Sequence, residues 1–288
     1  MTLVVASYAD NGAIIMCGDS LITGADDKKG RVKLLNSFRK IKNVPINILQ
    51  PYLDNAGRVK SYYDIPIPHS CMIAYAGSTL ASQHMINNIE GHFKRVIFTC
   101  EGGVYKLIME CQGNKHALST YWADDMFHQS PYEIAQFLDK EFQINLIKHA
   151  IERAIDQFIS ADEAYSKEFF NAEFIIALSC YKTKKNHLFE IKMDFEIDGK
   201  PNLIVKEIPM GEMASIGVTR YYEDIRKLLL DSSLELNVEE RLSKGVCDAI
   251  DDNENISLME IGYPVALKRF DSFREQRELQ KRYTVNPY

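Results

Sequence analysis

The stretch that most constrains this chain is its beginning. Two apolar, β-rich runs, Leu3–Ala6 and Ala13–Cys17, lie either side of Asp10-Asn11-Gly12. An Asn-Gly pair between such runs is a strong hairpin signal, because glycine accepts the positive φ that a tight turn requires. Residues 2–8 and 13–19 are therefore expected to be paired strands. The return strand ends in Gly18-Asp19-Ser20, so pairing would bring the Asp19 carboxylate beside the start of the first strand. The residue waiting there is Thr2. It follows Met1, and a small second residue is the usual setting for methionine removal. An N-terminal threonine carries a hydroxyl and a free amine on one residue, a nucleophile with its own base. By itself Met-Thr says little, since many chains begin this way and most such threonines only open a strand.

Composition narrows the classes. The chain has 288 residues, enough to bury a large core, with 46% hydrophobic and 26% charged residues, the balance of a globular protein. A net charge of −6 gives no reason to expect nucleic acid as a partner. No apolar run is long enough to span a membrane, and the beginning lacks the basic region and cleavage site of a signal peptide. Cys17, Cys71, Cys100, Cys111, Cys180 and Cys247 show no C-x-x-C spacing and several fall in apolar runs. That pattern suits buried thiols in a reducing cytoplasm. The histidines show no H-E-x-x-H or H-x-x-x-H spacing, so the sequence makes no case for a metal, and none for a cofactor.

Farther along, Leu21–Lys33 is polar and reads as a loop, Lys40–Val44 as a short strand, and the proline-bearing Pro45–Pro68 as a long loop at the rim of a site or a subunit contact. His69–Gly77 is the next strand. Ser78 or Thr79 can cap a helix reaching about Val96, whose buried face carries Leu80, Met85, Ile86, Ile89 and Phe93. Val104–Cys111 fits strand or helix equally. Ser130-Pro131-Tyr132-Glu133 reads as a capped start of a long helix through Phe158. Ala172–Tyr181 and His187–Met193 form a hairpin around Lys184-Lys185-Asn186, and Leu203–Ile208 is a further strand. Ala214-Ser215-Ile216-Gly217 leads to a helix with Tyr221 and Leu228–Leu230. Val238–Ile250 is another helix and Asn255–Ile261 the last strand. Residues 1–268 read as one domain and 269–288 as a charged tail.

Several of these pieces, in this order, resemble the β-type subunits of proteasomes and their bacterial relatives, a branch of the N-terminal-nucleophile (Ntn) hydrolases. The carriers are Thr2, the Gly18-Asp19-Ser20 strand end, Phe38-Arg39-Lys40-Ile41, and Met72-Ile73-Ala74-Tyr75-Ala76-Gly77-Ser78. Asn255–Val265 looks like the last strand of the ancestral β-subunit (Anbu) group. The element order suits the resemblance's fold, an α+β, four-layer α-β-β-α sandwich. The resemblance implies a cytoplasmic threonine peptidase or amidohydrolase acting on peptides or unfolded protein. It would work in a homo-oligomeric ring or helical assembly, with an unfoldase as a possible partner. Thr2 would attack, with its α-amine as base. Lys40 would be the neighbouring cation, Asp19 its holder, and the Gly77 N–H the oxyanion donor. Asp252 and Asn255 would support the amine, Asn255 standing where relatives carry serine and Asp251 matching almost as well. The remaining family serine falls near Val218, or Thr219 with a one-residue slip. Ser20, Tyr75 and Ser78 would face the substrate. The same nucleophile could instead ligate peptides, and a chain that keeps Met1 would be a silent scaffold subunit.

Overall fold

The computed structural model describes residues 2–26, 30–54, 59–101, 104–112, 134–161, 171–195, 201–256 and 260–273. The first hairpin forms as the sequence dictates. Strand β1 is Leu3–Tyr8 and β2 is Ile14–Asp19. They are antiparallel, with Val4 opposite Gly18. Gly12 takes φ +77° in the turn, and the Asn11 side chain accepts from the Ala13 N–H.

The next segments depart from expectation. Leu21–Lys33 is not a loop: β3 (Ile22–Asp26) and β4 (Gly30–Leu35) pair as a separate two-stranded ribbon. The expected short strand and the Pro45–Pro68 loop are together one long hairpin, β5 (Ile41–Leu53) and β6 (Val59–Gly77). Proline lacks an N–H for a ladder, which is why these residues read as loop. The hairpin accommodates Pro45 at a shift of register between Val44 and Ile46. β5 meets its other neighbour, β7 (Val96–Glu101), only at Ile48 and Leu49, so Pro45 and Pro51 flank that pairing.

Helix α1 spans Thr79–Phe93, and the Ser78 side chain accepts from the Ala81 N–H as its cap. β7 and β8 (Val104–Met109) then form a hairpin, followed by a 3-10 turn at Glu110–Gln112. The capping signal Ser130–Glu133 lies outside the described residues. Past Ile134 and Ala135 the chain makes short turns, and helix α2 begins only at Lys140 and runs to Ala161. Its start is set by Asp139, whose carboxylate accepts from the Phe142 N–H at 2.8 Å. β9 (Ala172–Cys180), β10 (Lys185–Phe195), β11 (Pro201–Ile208) and β12 (Met213–Gly217) follow. Helices α3 (Tyr222–Leu230) and α4 (Val238–Asn255) come next, and β13 is Val265–Phe270.

The final expected strand is thus also corrected. Residues 251–255 belong to α4, and the last strand starts at Val265. Asn253 explains the longer helix. It is buried, and its side-chain oxygen accepts from the N–H groups of Glu260 and Ile261, tying the returning chain to the helix end. β13 also takes Arg269 and Phe270 into a sheet, where the sequence places them in the tail.

The strands form a four-stranded sheet, β12-β1-β2-β13, and a seven-stranded sheet, β11-β10-β9-β6-β5-β7-β8. Among the described residues, three apolar cores organise them. Val4, Ala6, Ile14 and Met16 of the smaller sheet meet Met72, Ala74, Ala76, Ile175 and Ala177 of the larger in a shared core. The alternate residues Leu3, Val5, Ile15 and Cys17 pack on Ile225, Leu242, Val246 and Ile250 of α3 and α4. Cys71, Ile73, Phe174 and Ile176 pack on Met85, Ile89 and Phe93 of α1 and Ile147 and Ile151 of α2. Successive side chains of a strand point to opposite faces, so strands buried on both faces read as unbroken apolar runs. Each fully buried aliphatic or aromatic side chain contributes about 1.5–3 kcal/mol. Among the described residues, no helix is long and apolar enough to cross a membrane.

Candidate active site

Pairing in the first hairpin places Asp19 opposite the start of β1, and its carboxylate is fully engaged there. Oδ1 accepts from the Leu3 N–H at 2.9 Å, and Oδ2 accepts from the N–H groups of Leu21 at 3.0 Å and Gly262 at 3.3 Å. The Lys40 ammonium donates to both oxygens at 2.9 and 3.0 Å and to the Leu21 carbonyl at 2.7 Å. Both side chains are buried. Burial pushes the Lys40 ammonium below its ordinary value of 10.5, while the Asp19 charge and hydrogen bonds pull it back up. Lys40 is the last residue before β5, and its carbonyl accepts from the Tyr75 N–H of β6. The cation is therefore fixed at the junction of three segments remote in sequence.

Thr2 is buried and held by its own backbone. Its carbonyl accepts from the Val218 N–H at 2.8 Å. Gly217 lies against the same carbonyl at φ +87°, where a Cβ would come within 1.8 Å of the Thr2 oxygen. The Gly217 N–H in turn donates to a Glu173 carboxylate oxygen of β9 at 2.6 Å. Gly217→Ala should therefore destabilise the protein by more than about 1 kcal/mol, since it adds both backbone strain and a clash. A thermal melt checks this, and an unchanged Tm would mean that the Thr2 backbone is free to move aside.

Thr2, Lys40, Tyr75 and Gly77 line one pocket of about 50 Å³, together with Leu21, Ile22, Thr23, Phe38, Ala76 and Thr79. Gly77 ends β6 at φ +90°, with the Asn171 carbonyl 1.7 Å from where a Cβ would sit, so this corner of the pocket requires glycine. Thr79 opens α1, which turns the positive end of that helix toward the pocket. The Tyr75 hydroxyl is buried without a hydrogen-bond partner among the described residues. Burial pushes it up to about 12, so it stays a neutral donor. The Phe38 ring stands edge-on to it, with centroids 6.4 Å apart.

Thr2, Asp19, Lys40, Tyr75 and Gly77 are thus assembled as a group. Ser20 is buried beside them, with its N–H donating to the Gly262 carbonyl, but does not line the pocket. Ser78 caps α1, and Thr79 rather than Ser78 faces the pocket. Asp252 and Asn255 are not brought there. They lie exposed on α4, where Asp252 accepts from the Tyr221 hydroxyl at 3.1 Å. Sequence reasoning missed Gly217, Glu173 and Gly262. The glycine closing Ala214–Gly217 was the available signal for the first, whereas Glu173 and Gly262 carry none without the fold. Met1 lies outside the described residues.

Chemically, the pocket offers a buried hydroxyl, a fixed cation, a helix N-terminus and a close-approach glycine, a set suited to a reaction in which negative charge develops on a carbonyl oxygen. No protein-family model matches the sequence, and no match was found among curated proteins. Among solved structures, the chain is similar to eukaryotic HslV from Trypanosoma brucei. The TM-score is 0.44 at 12% sequence identity, over 93% of this chain and 98% of that one.

Proposed function

We propose that this chain is a threonine-type peptidase or amidohydrolase of the proteasome-like Ntn class, its stacked sheets and flanking helices forming the four-layer α-β-β-α sandwich of that class. The observation that supports the reading is the convergence of Thr2, the Lys40–Asp19 pair and Gly77 on one pocket. With Met1 removed, the Thr2 hydroxyl attacks the substrate carbonyl. Its proton passes to the α-amine, directly or through one water, because an unperturbed α-amine has a pKa of about 7.7–8.0. Lys40 favours the ionised attacking oxygen, Asp19 positions Lys40, and the Gly77 N–H receives the developing oxyanion. The amine returns its proton to the leaving group. Water then cleaves the acyl-threonine ester by the same steps in reverse order. The Tyr75 hydroxyl is a donor for the substrate. Peptides or unfolded chains are the substrates, taken in a homo-oligomer. The exposed Tyr52 and Tyr63 on the long β5–β6 hairpin are a surface for its contacts.

A pH–rate profile on the processed chain tests this reading. Turnover should rise with pH as the amine loses its proton. It should fall again as Lys40 loses its own, and because Lys40 is held below 10.5 that fall should begin before a free lysine would titrate. A rate that stays flat beyond that value would remove the Lys40 cation from the reaction. An intact mass that retains Met1 would remove the base.

A further inference from the structure

The outer helical layer carries a second constellation, far from the pocket. His92, near the end of α1, Cys111, in the turn after β8, and His149, in the middle of α2, each place one ligand atom within 4.8 Å of the others. We propose that these three side chains bind one divalent ion of the zinc class, which ties α1, the β7–β8 hairpin and α2 together.

The geometry carries this in detail. The Cys111 sulfur and His149 Nε2 are 3.2 Å apart, and the two imidazoles meet edge to face with centroids 5.3 Å apart. His92 Nδ1 lies 2.8 Å from the Asn88 carbonyl. That partner fixes the proton on Nδ1 and leaves Nε2 as the lone pair for a metal, the outer-shell arrangement that ligating histidines use. Zinc–nitrogen bonds of about 2.0–2.1 Å and a zinc–sulfur bond of about 2.3 Å place tetrahedral ligands roughly 3.3–3.7 Å apart. From separations of up to 4.8 Å, the three atoms therefore need to close by about 1.5 Å at most, within the reach of side-chain rotation.

The donor set also selects the ion. Two imidazoles and a thiolate are borderline-to-soft ligands, which favour zinc or cobalt over magnesium or calcium. Cys111 is exposed and both histidines are half-buried, so an ion reaches them from solvent and the thiol proton leaves to solvent on binding. The positive charge of Arg95 is already matched by Glu110 at 2.9 Å. Three protein ligands leave a fourth position for water. His92 is 13 residues beyond the start of α1, about 20 Å along a helix rising 1.5 Å per residue, so the ion serves the outer layer rather than the Thr2 chemistry.

The purified full chain, stripped with a chelator, should be titrated with cobalt(II). The expected result is one saturable equivalent with a sulfur-to-cobalt charge-transfer band, displaced by zinc. Cys111→Ser should abolish that band, and His149→Ala should weaken binding by more than the roughly 100-fold that outer partners cost. Zinc should raise the Tm of the wild-type chain and leave that of His149→Ala unmoved. Cys111 is exposed, so its variant folds and the comparison stands. No saturable equivalent, or a charge-transfer band that survives Cys111→Ser, would overturn the proposal.

Discussion

Thr2→Ala should abolish peptide hydrolysis while leaving the protein folded. In the proposed mechanism the attacking atom is the Thr2 hydroxyl oxygen, and alanine has no substitute for it. Loss of a nucleophile in acyl transfer costs on the order of 10⁴- to 10⁶-fold in turnover. The fold should not follow, because what anchors residue 2 is its backbone. The carbonyl accepts from Val218, and Gly217 leaves room for it; alanine keeps both. Steady-state turnover and a thermal melt on the same preparation separate the two effects. Turnover within tenfold of wild type would place the nucleophile elsewhere. A collapsed Tm would make the side chain a structural one.

Asp19→Ala should be the most destabilising single change at the site. It strips the buried Lys40 ammonium of its counter-charge and orphans the N–H groups of Leu3, Leu21 and Gly262 at once. Breaking a buried pair in this way costs about 3–5 kcal/mol. In a chain of this size that is a fall in Tm on the order of 10 °C. Lys40→Met should cost less, because the carboxylate would keep three backbone donors and lose only the cation. The order of the two melts is the test. If Lys40→Met proved the worse, the carboxylate would depend on the lysine rather than on its backbone cradle. Both variants should be inactive, so only stability distinguishes them.

How much of this was legible beforehand depended on how local each signal was. The first hairpin was readable because Asn11-Gly12 and the apolar runs around it are adjacent in the chain, and register alone then carries Asp19 to Leu3. The strand-to-helix turn at Gly77 and Ser78 was readable for the same reason. Lys40 was named through resemblance, since nothing near it in sequence shows that its ammonium is buried on Asp19. Prolines misled the reading of Pro45–Pro68, because a long hairpin that meets β7 at only Ile48 and Leu49 tolerates them where a central strand would not. The polar run 251–255 misled in the opposite direction. With no apolar residue to carry the helical period past Ile250, the helix reads as ending there and Asn255 as opening a strand, and only the buried Asn253 shows that the helix continues. Gly217 and Glu173 act on Thr2 through contacts more than 170 positions away in the chain, and His92, Cys111 and His149 meet only once α1, β8 and α2 are packed. No spacing rule reaches that far.

The central claim is that one residue supplies both attacker and proton acceptor. Treating the purified protein with a β-lactone and mapping the acyl group by peptide fragmentation tests it most directly. The account predicts a single adduct on the hydroxyl of Thr2, in a peptide whose first residue is that threonine. An adduct on any other side chain, or a Thr2 peptide that still carries Met1 and takes no label, would contradict it.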